Sequence, residues 1–216
     1  IAAPGSYTGH GNITIKGGIW DANGAVQPGL GSIFHFGHGT DIKVLEATLK
    51  DVVGSHHIEF NACKDVIVRD SKFLGWFGSG NVEAIQLDVA YPTLADGQHV
   101  TLLPGDGAPC KNVLIEHNYF GASGTPGSSE LSRAIGGHNA IIGKKHYNIR
   151  ILNNTIEKTT SYAIRPYNWS NLTISDNTLI ECAAGIAVIP PLTSDPKDTI
   201  TVDGTQTNAS ESNEDI

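Results

Sequence analysis

One phrase recurs along this chain, and it leaves few folds open. "NITIKGGIW" (12–20), "DIKVLEATLK" (41–50), "DVIVRDSKFL" (65–74), "NVLIEHNYF" (112–120), "NIRILNNTI" (148–156) and "NLTISDNTLI" (171–180) share one pattern. Apolar residues alternate, a polar pair follows, and another apolar residue closes the phrase. "DTITVDGT" (198–205) is a weaker copy. The core-start residues Ile42, Val66, Val113, Ile149 and Leu172 lie 24, 47, 36 and 23 residues apart. A basal unit of 23 to 24 residues with loop insertions accounts for these gaps. Such a period marks a repeat architecture, in which each unit buries its apolar face only against its neighbours.

A second short segment precedes five of the phrases: "IFHFG" (33–37), "HIEFN" (57–61), "AIQLD" (84–88), "AIGGH" (134–138) and "AIRPY" (163–167). "GIAVI" (185–189) is a sixth. Two or three short strands per unit, joined by turns, describe an all-β, right-handed parallel β-helix of about seven coils with loop insertions. A sandwich would need recurrent hairpin signals between strands, and they do not recur. Asn118, Asn154 and Asn177 each follow their core-start residue by five positions, as a stacked asparagine ladder requires. The helix is expected over 1–204, as a segment of a longer or processed protein. The polar, acidic run 205–216 is expected to be a linker or tail.

Stacking the second segments assigns their faces. Ile58, Ile85, Ile135, Ile164 and Ile186 form one inward column, and side chains alternate along a strand. The intervening positions therefore face outward. One outward column reads His35, Glu59, Gln86, Gly136, Arg165 and Ala187, and the next Gly37, Asn61, Asp88, His138, Tyr167 and Ile189. Glu83 falls at a strand corner, in register with His56, Arg133 and Tyr162. Polar residues thus gather on the outer wall of the middle coils. There the insertions 89–111, 121–133 and 139–147 also interrupt the repeat, and long loops on a regular scaffold commonly carry function. A solvated face with chance charges is the competing reading.

Glu59 and Asp88, one coil apart and offset by two residues, have backbones roughly 8 Å apart across the diagonal. Inverting glycosidases hold their carboxyl groups about 6.5–9.5 Å apart. His138 and Arg165 complete the candidate catalytic set. His57, Asn61, Gln86, Lys144, Lys145, Tyr167 and Asn168 form the candidate substrate-binding set. A lyase would use a base at the sugar C5 proton and a cation against the uronate carboxylate, roles open to His138, Arg165, Lys144 or Lys145. Trp76, Tyr91, Tyr167 and Trp169 offer aromatic faces for sugar stacking, although each taken singly suits a packing role. No cofactor is expected. Asp88 and Glu59 could hold a divalent ion such as Ca2+, although two acids are a thin site for it, and no cysteine pair has zinc-ligand spacing. Cys63 and Cys110 occupy the same turn of adjacent coils, leaving a disulfide or two stacked thiols open. Cys182 has no stacked partner.

The "NITIKGGIWDANG" opening, the recurrent phrases and the asparagine ladder resemble the pectate lyase and polygalacturonase (pectin lyase-like) superfamily. That resemblance implies the β-helix and action on an acidic, pectin-like polysaccharide, as a lyase or a glycoside hydrolase. The hydrolases of that superfamily carry "NTD", an aspartate pair, "GHG" and "RIK". This chain has "GGH" at 136–138 and "GHG" at 37–39, without "NTD". A β-helix followed by a polar linker also looks like the ligand-binding region of a bacterial surface adhesin, which would hold a host or plant glycan without cleaving it. Either reading places the protein outside the cell, secreted or surface-attached, as a monomer. The net charge of −8 counts against nucleic acid as a partner, and no apolar run reaches the length of a membrane span.

Overall fold

The computed structural model describes residues 5–27, 29, 31–91 and 105–190. The chain winds through three strands per turn. The first coil comprises β1 (Gly11–Lys16), β2 (Ile19–Asp21) and β3 (Phe34–Gly37). The second has β4 (Thr40–Leu45), β5 (Thr48–Val53) and β6 (Ile58–Asn61), and the third β7 (Lys64–Arg69), β8 (Lys72–Phe77) and β9 (Glu83–Asp88). The fourth has β10 (Lys111–Glu116), β11 (Tyr119–Gly121) and β12 (Arg133–Gly136). The fifth has β13 (His146–Leu152), β14 (Thr155–Glu157) and β15 (Tyr162–Arg165), and the sixth β16 (Trp169–Ser175), β17 (Thr178–Ile180) and β18 (Ala184–Ile186). Every third strand pairs in parallel, giving three six-stranded sheets: A begins with β1, B with β2 and C with β3. This is the expected right-handed parallel β-helix. Six coils fall among the described residues, and the weaker copy at 198–205 lies outside them, as does the tail 205–216.

Two columns of left-handed residues explain why each phrase opens on Asn or Asp. Asn12, Asp41, Asp65, Asn112, Asn148 and Asn171 each stand one residue before the core-start residue of their sheet A strand, with φ between 49° and 56°. Short polar side chains tolerate this region better than branched ones. A second column, Glu46, Asp70, His117, Asn153 and Asp176, turns the chain from sheet A into sheet B with φ of 53° to 57°. Just past that turn the asparagines stack. The amides of Ser71, Asn118 and Asn154 donate to Oδ1 of Asn118, Asn154 and Asn177 at 2.9, 3.0 and 2.9 Å. Their Nδ2 groups donate inward to the carbonyls of Val68, Ile115 and Ile151 at 2.8–2.9 Å.

The expected inward columns form the core. Ile42, Val66, Val113 and Ile149 are at most 1% exposed, and Ile58, Ile85, Ile135 and Ile164 are fully buried. Phe73 stacks on Phe120 with ring centroids 4.8 Å apart, and Phe36 on Phe60 at 5.4 Å. Of the two cysteine readings, the structure has the stacked thiols: Cys63 and Cys110 are free and buried. Each thiol donates to the carbonyl of the coil beneath, Cys63 to Phe36 at 3.4 Å and Cys110 to Phe60 at 3.3 Å. The two side chains therefore point the same way along the stack rather than at each other. Cys182 is half-buried and packs against the core.

Candidate functional site

Sheet C places the polar columns as the sequence register requires. Glu59 pairs with Gln86, Asn61 with Asp88, and Gly136 with both Gln86 and Arg165. The wall differs from the expected open groove in being covered. Glu83 and Asp88 are fully buried and Gln86 is 3% exposed. The chain after Gly136 folds back over this wall and supplies donors to it.

Asp88 is the anchor of that fold-back. Its Oδ1 accepts from the amides of His138 (2.8 Å) and Asn139 (3.2 Å), and its Oδ2 from Asn139 Nδ2 (2.8 Å) and Gln86 Nε2 (2.6 Å). Burial pushes its carboxyl up to about 6, against the lowering effect of the charge and amide of His138 and the amide of Asn139. The two glycines of "GGH" make the approach possible. A Cβ at Gly137 would stand 2.5 Å from the Leu87 carbonyl, and one at Gly136 2.7 Å from the Arg165 carbonyl and 3.0 Å from Glu83 Cγ.

Glu83 forms the second centre, at the corner where β9 begins. Its Oε1 accepts from Arg133 Nη1 at 2.9 Å, and its Oε2 lies 2.6 Å from His138 Nε2. His56 joins from the coil beneath, its Nδ1 2.7 Å from the Glu83 carbonyl and its ring 5.6 Å from that of His138. Burial alone would raise the Glu83 carboxyl. The His138 ion pair and the charges of Arg133 and His56 prevail and hold it at about 2. For His138, burial works against the charged form, but Glu83 and Asp88 overcome it and the imidazole is raised. The corner column His56–Glu83–Arg133 was visible in the register, yet nothing in the sequence marked it as the electrostatic centre of the wall.

The solvent edge of this wall is narrow. It includes His35 (side chain 40% exposed), Glu59 (14%) and His138 (29%), with Arg165 also partly exposed. Glu59 lies 3.8 Å from His35 Nε2 and accepts from Ser32 Oγ at 3.2 Å. Arg165 donates to the Gly137 carbonyl at 2.8 Å and lies 4.7 Å over the Tyr167 ring.

The remaining predicted residues separate from this edge. His57 is a core histidine, packed edge-on to Phe73 and held by burial at about 4. Asn61 and Asn168 are fully buried and Tyr167 is 2% exposed, so they present almost no surface to a substrate. The sequence register turned Asn61 and Tyr167 outward, and in the structure both are buried. Trp76, Tyr91 and Trp169 are likewise buried, in packing roles. Lys144 and Lys145 lie in the turn before β13 and line a different cavity, with Pro109, Lys111, Tyr147 and Ser170. Among the described residues no group of three or more His, Cys, Asp or Glu is placed to hold a metal ion, and no helix is long and apolar enough to cross a membrane.

Residues 93–191 match a family model described as a right handed beta helix region. The "Plasmin and fibronectin-binding protein A" of Streptococcus pneumoniae is 29% identical over 197 residues, which is 82% of this chain and 27% of that protein. Two solved structures of the Streptococcus pneumoniae surface adhesin PfbA superpose with a TM-score of 0.66 each, at 28% and 26% identity. Each covers 80% of this chain, which spans 42% and 44% of theirs. The chain thus spans about a quarter of the curated relative and under half of the solved chains. These relatives are surface adhesins, in agreement with the cell-surface or extracellular location expected from the sequence.

Proposed function

We propose that this chain is the non-catalytic β-helix segment of a cell-surface adhesin and that it holds a host extracellular protein along the solvent edge of sheet C. One observation carries the reading. Of the Glu59–Asp88 pair that cleavage would use, Asp88 is enclosed and accepts four hydrogen bonds from the protein itself, and the neighbouring Glu83 is taken up by Arg133 and His138, which leaves Glu59 as the one acid of the pair at the solvent edge. A carboxylate so engaged organises a loop and is closed to a sugar. What remains accessible is a ridge of His35, Glu59 and His138 with the partly exposed Arg165 beside it, a surface for polar contact. The likeness to the streptococcal adhesins supports fibronectin or plasmin as the kind of partner. Cleavage of an acidic polysaccharide is the second reading. It is favoured by the Asp88 carboxyl, which burial places at about 6, where a general acid works near neutral pH.

Binding to immobilised fibronectin and plasmin tests the proposal. The wild-type chain is expected to bind at least one of them, and the double variant Glu59→Gln/His138→Ala to bind about fivefold or more weakly, as for loss of a contributing contact. Binding to neither protein would overturn the partner. Equal binding by the double variant would overturn the surface.

A further inference from the structure

Strand alternation should leave the outer face of sheet A polar, and in the four middle coils it does not. Leu45, Ile67, Leu114 and Leu152 stand at outward positions on successive rungs, each partly exposed. An apolar strip rimmed by charged groups on an outer face marks a contact surface. The order of residues along its two columns says what the contact is with. The middle column reads Thr14, Lys43, Ile67, Leu114, Arg150 and Thr173. By residue type it is the same in both directions: threonine, cation, aliphatic, then aliphatic, cation, threonine. The column at the strand ends reads Lys16, Leu45, Arg69, Glu116, Leu152 and Ser175. It has a leucine one rung in from each end and an arginine beside a glutamate at its centre.

We infer that this face docks a second copy of the chain, the two solenoids lying antiparallel about a two-fold axis between the third and fourth coils. A two-fold interface brings residue i onto j and j onto i. Reversing the columns sets Leu45 against Leu152 of the second copy, Ile67 against its Leu114 and Arg69 against its Glu116, each pair occurring twice. Arg69 and Glu116 already lie 3.5 Å apart within one chain, so four charges meet as a network. Arg150, which is exposed, faces the Lys43–Asp41 pair of the second copy, whose carboxylate is 45% exposed and open to sharing. The least favourable contact is at the margin, where Lys64 faces Lys111. There Asp65, 3.8 Å from Lys64, and water screen the repulsion. A foreign partner would use the apolar strip but has no need of the mirrored order. Six rungs about 4.8 Å apart, each roughly 20 Å long, give a face on the order of 500 Å². Two such faces bury about 1,000 Å², the lower limit of a specific interface, so the dimer is a reversible one of micromolar affinity. The inference does not depend on the adhesin reading, which uses sheet C, and it replaces the monomer expected from the sequence.

Sedimentation equilibrium of the whole chain, from micromolar to sub-millimolar concentration, is expected to show monomer and dimer in exchange. Leu114→Glu and Arg69→Glu are each expected to weaken the dimer about tenfold or more, with unchanged circular dichroism, and Arg69→Glu/Glu116→Arg to restore it. Cross-linking reads the register. Leu45 and Leu152 are three rungs apart in one chain, about 14 Å, too far for a disulfide. In Leu45→Cys/Leu152→Cys, mild oxidation with diamide is therefore expected to join two chains, and to leave the wild type and either single variant unlinked. The docking surface would be overturned by a chain that stays monomeric throughout, by a dimer that Leu114→Glu and Arg69→Glu leave unchanged, by a charge swap that fails to restore it, or by no cross-link in the double-cysteine variant.

Discussion

Replacing Glu83 by alanine is expected to cost the folded protein about 3–5 kcal/mol, the range for breaking a buried ion pair from one side. Arg133 has a side chain only 9% exposed, and the substitution strands its guanidinium beside His138 without the carboxylate that pairs both. Urea unfolding of Glu83→Ala against wild type checks it. As a control, Lys16→Ala breaks a pair whose side chains are 61% and 56% exposed and should barely move the midpoint. The same carboxylate sets an acid limit. Its folded value of about 2 lies below the ordinary 4.5, so its contribution is fully present above pH 4.5 and is lost as the pH falls toward 2. The loss is on the order of 3 kcal/mol. His138 runs the other way. Its raised value makes its contribution complete below its ordinary 6.5 and lost as the pH rises through the folded value. Glu83→Gln should flatten the acid limb while leaving its volume filled.

Asn154→Ala is the second large effect. Asn154 Oδ1 accepts from the Asn118 amide and from Asn118 Nδ2, at 3.0 and 3.1 Å, and its Nδ2 donates to the Ile115 carbonyl and to Asn177 Oδ1, both at 2.9 Å. Truncation leaves a buried amide and a buried carbonyl without partners, at about 1–3 kcal/mol each, so a loss of about 2–5 kcal/mol is expected in the same unfolding measurement. Asn112 lies in an outer, exposed chain of amides between Asp65 and Asn148. Its replacement by Gly removes far less, because water takes over those exposed hydrogen bonds and glycine keeps the left-handed φ of 53° without strain. Equal losses at the two positions would contradict the ladder's role in holding adjacent coils.

The sequence carries the solenoid because its signal is periodic. Equal offsets among Asn118, Asn154 and Asn177 and the isoleucine column assign the strand register one rung at a time. The left-handed Asn/Asp column was equally visible as the first letter of each phrase. What periodicity cannot convey is what lies over a rung. Asp88 and Gln86 face outward, as read, but the fold-back after Gly137 closes over them, and its course depends on contacts far apart in sequence. The Glu83 centre was hidden for a similar reason: its partners come from the coils on either side, and only the folded corner brings Arg133 and His138 to one carboxylate. Lys144 and Lys145 were assigned to the same cleft as Asp88 because the 139–147 insertion that carries them interrupts the coils beside the polar columns. The insertion instead turns the corner from sheet C to sheet A, and they face the other side. The cysteine rung was legible, but the direction of each thiol was not.

The central claim, that the enclosed acids of sheet C organise loops and leave a surface that binds without cleaving, meets its most direct test in a turnover assay. The chain is incubated with polygalacturonate and with sulfated and neutral polysaccharides, and both reducing ends and unsaturated uronates are followed over time. The account predicts no product above the protein-free rate from any of them. Product formation that Glu59→Gln or Asp88→Asn abolishes, in a variant that remains folded, would contradict it.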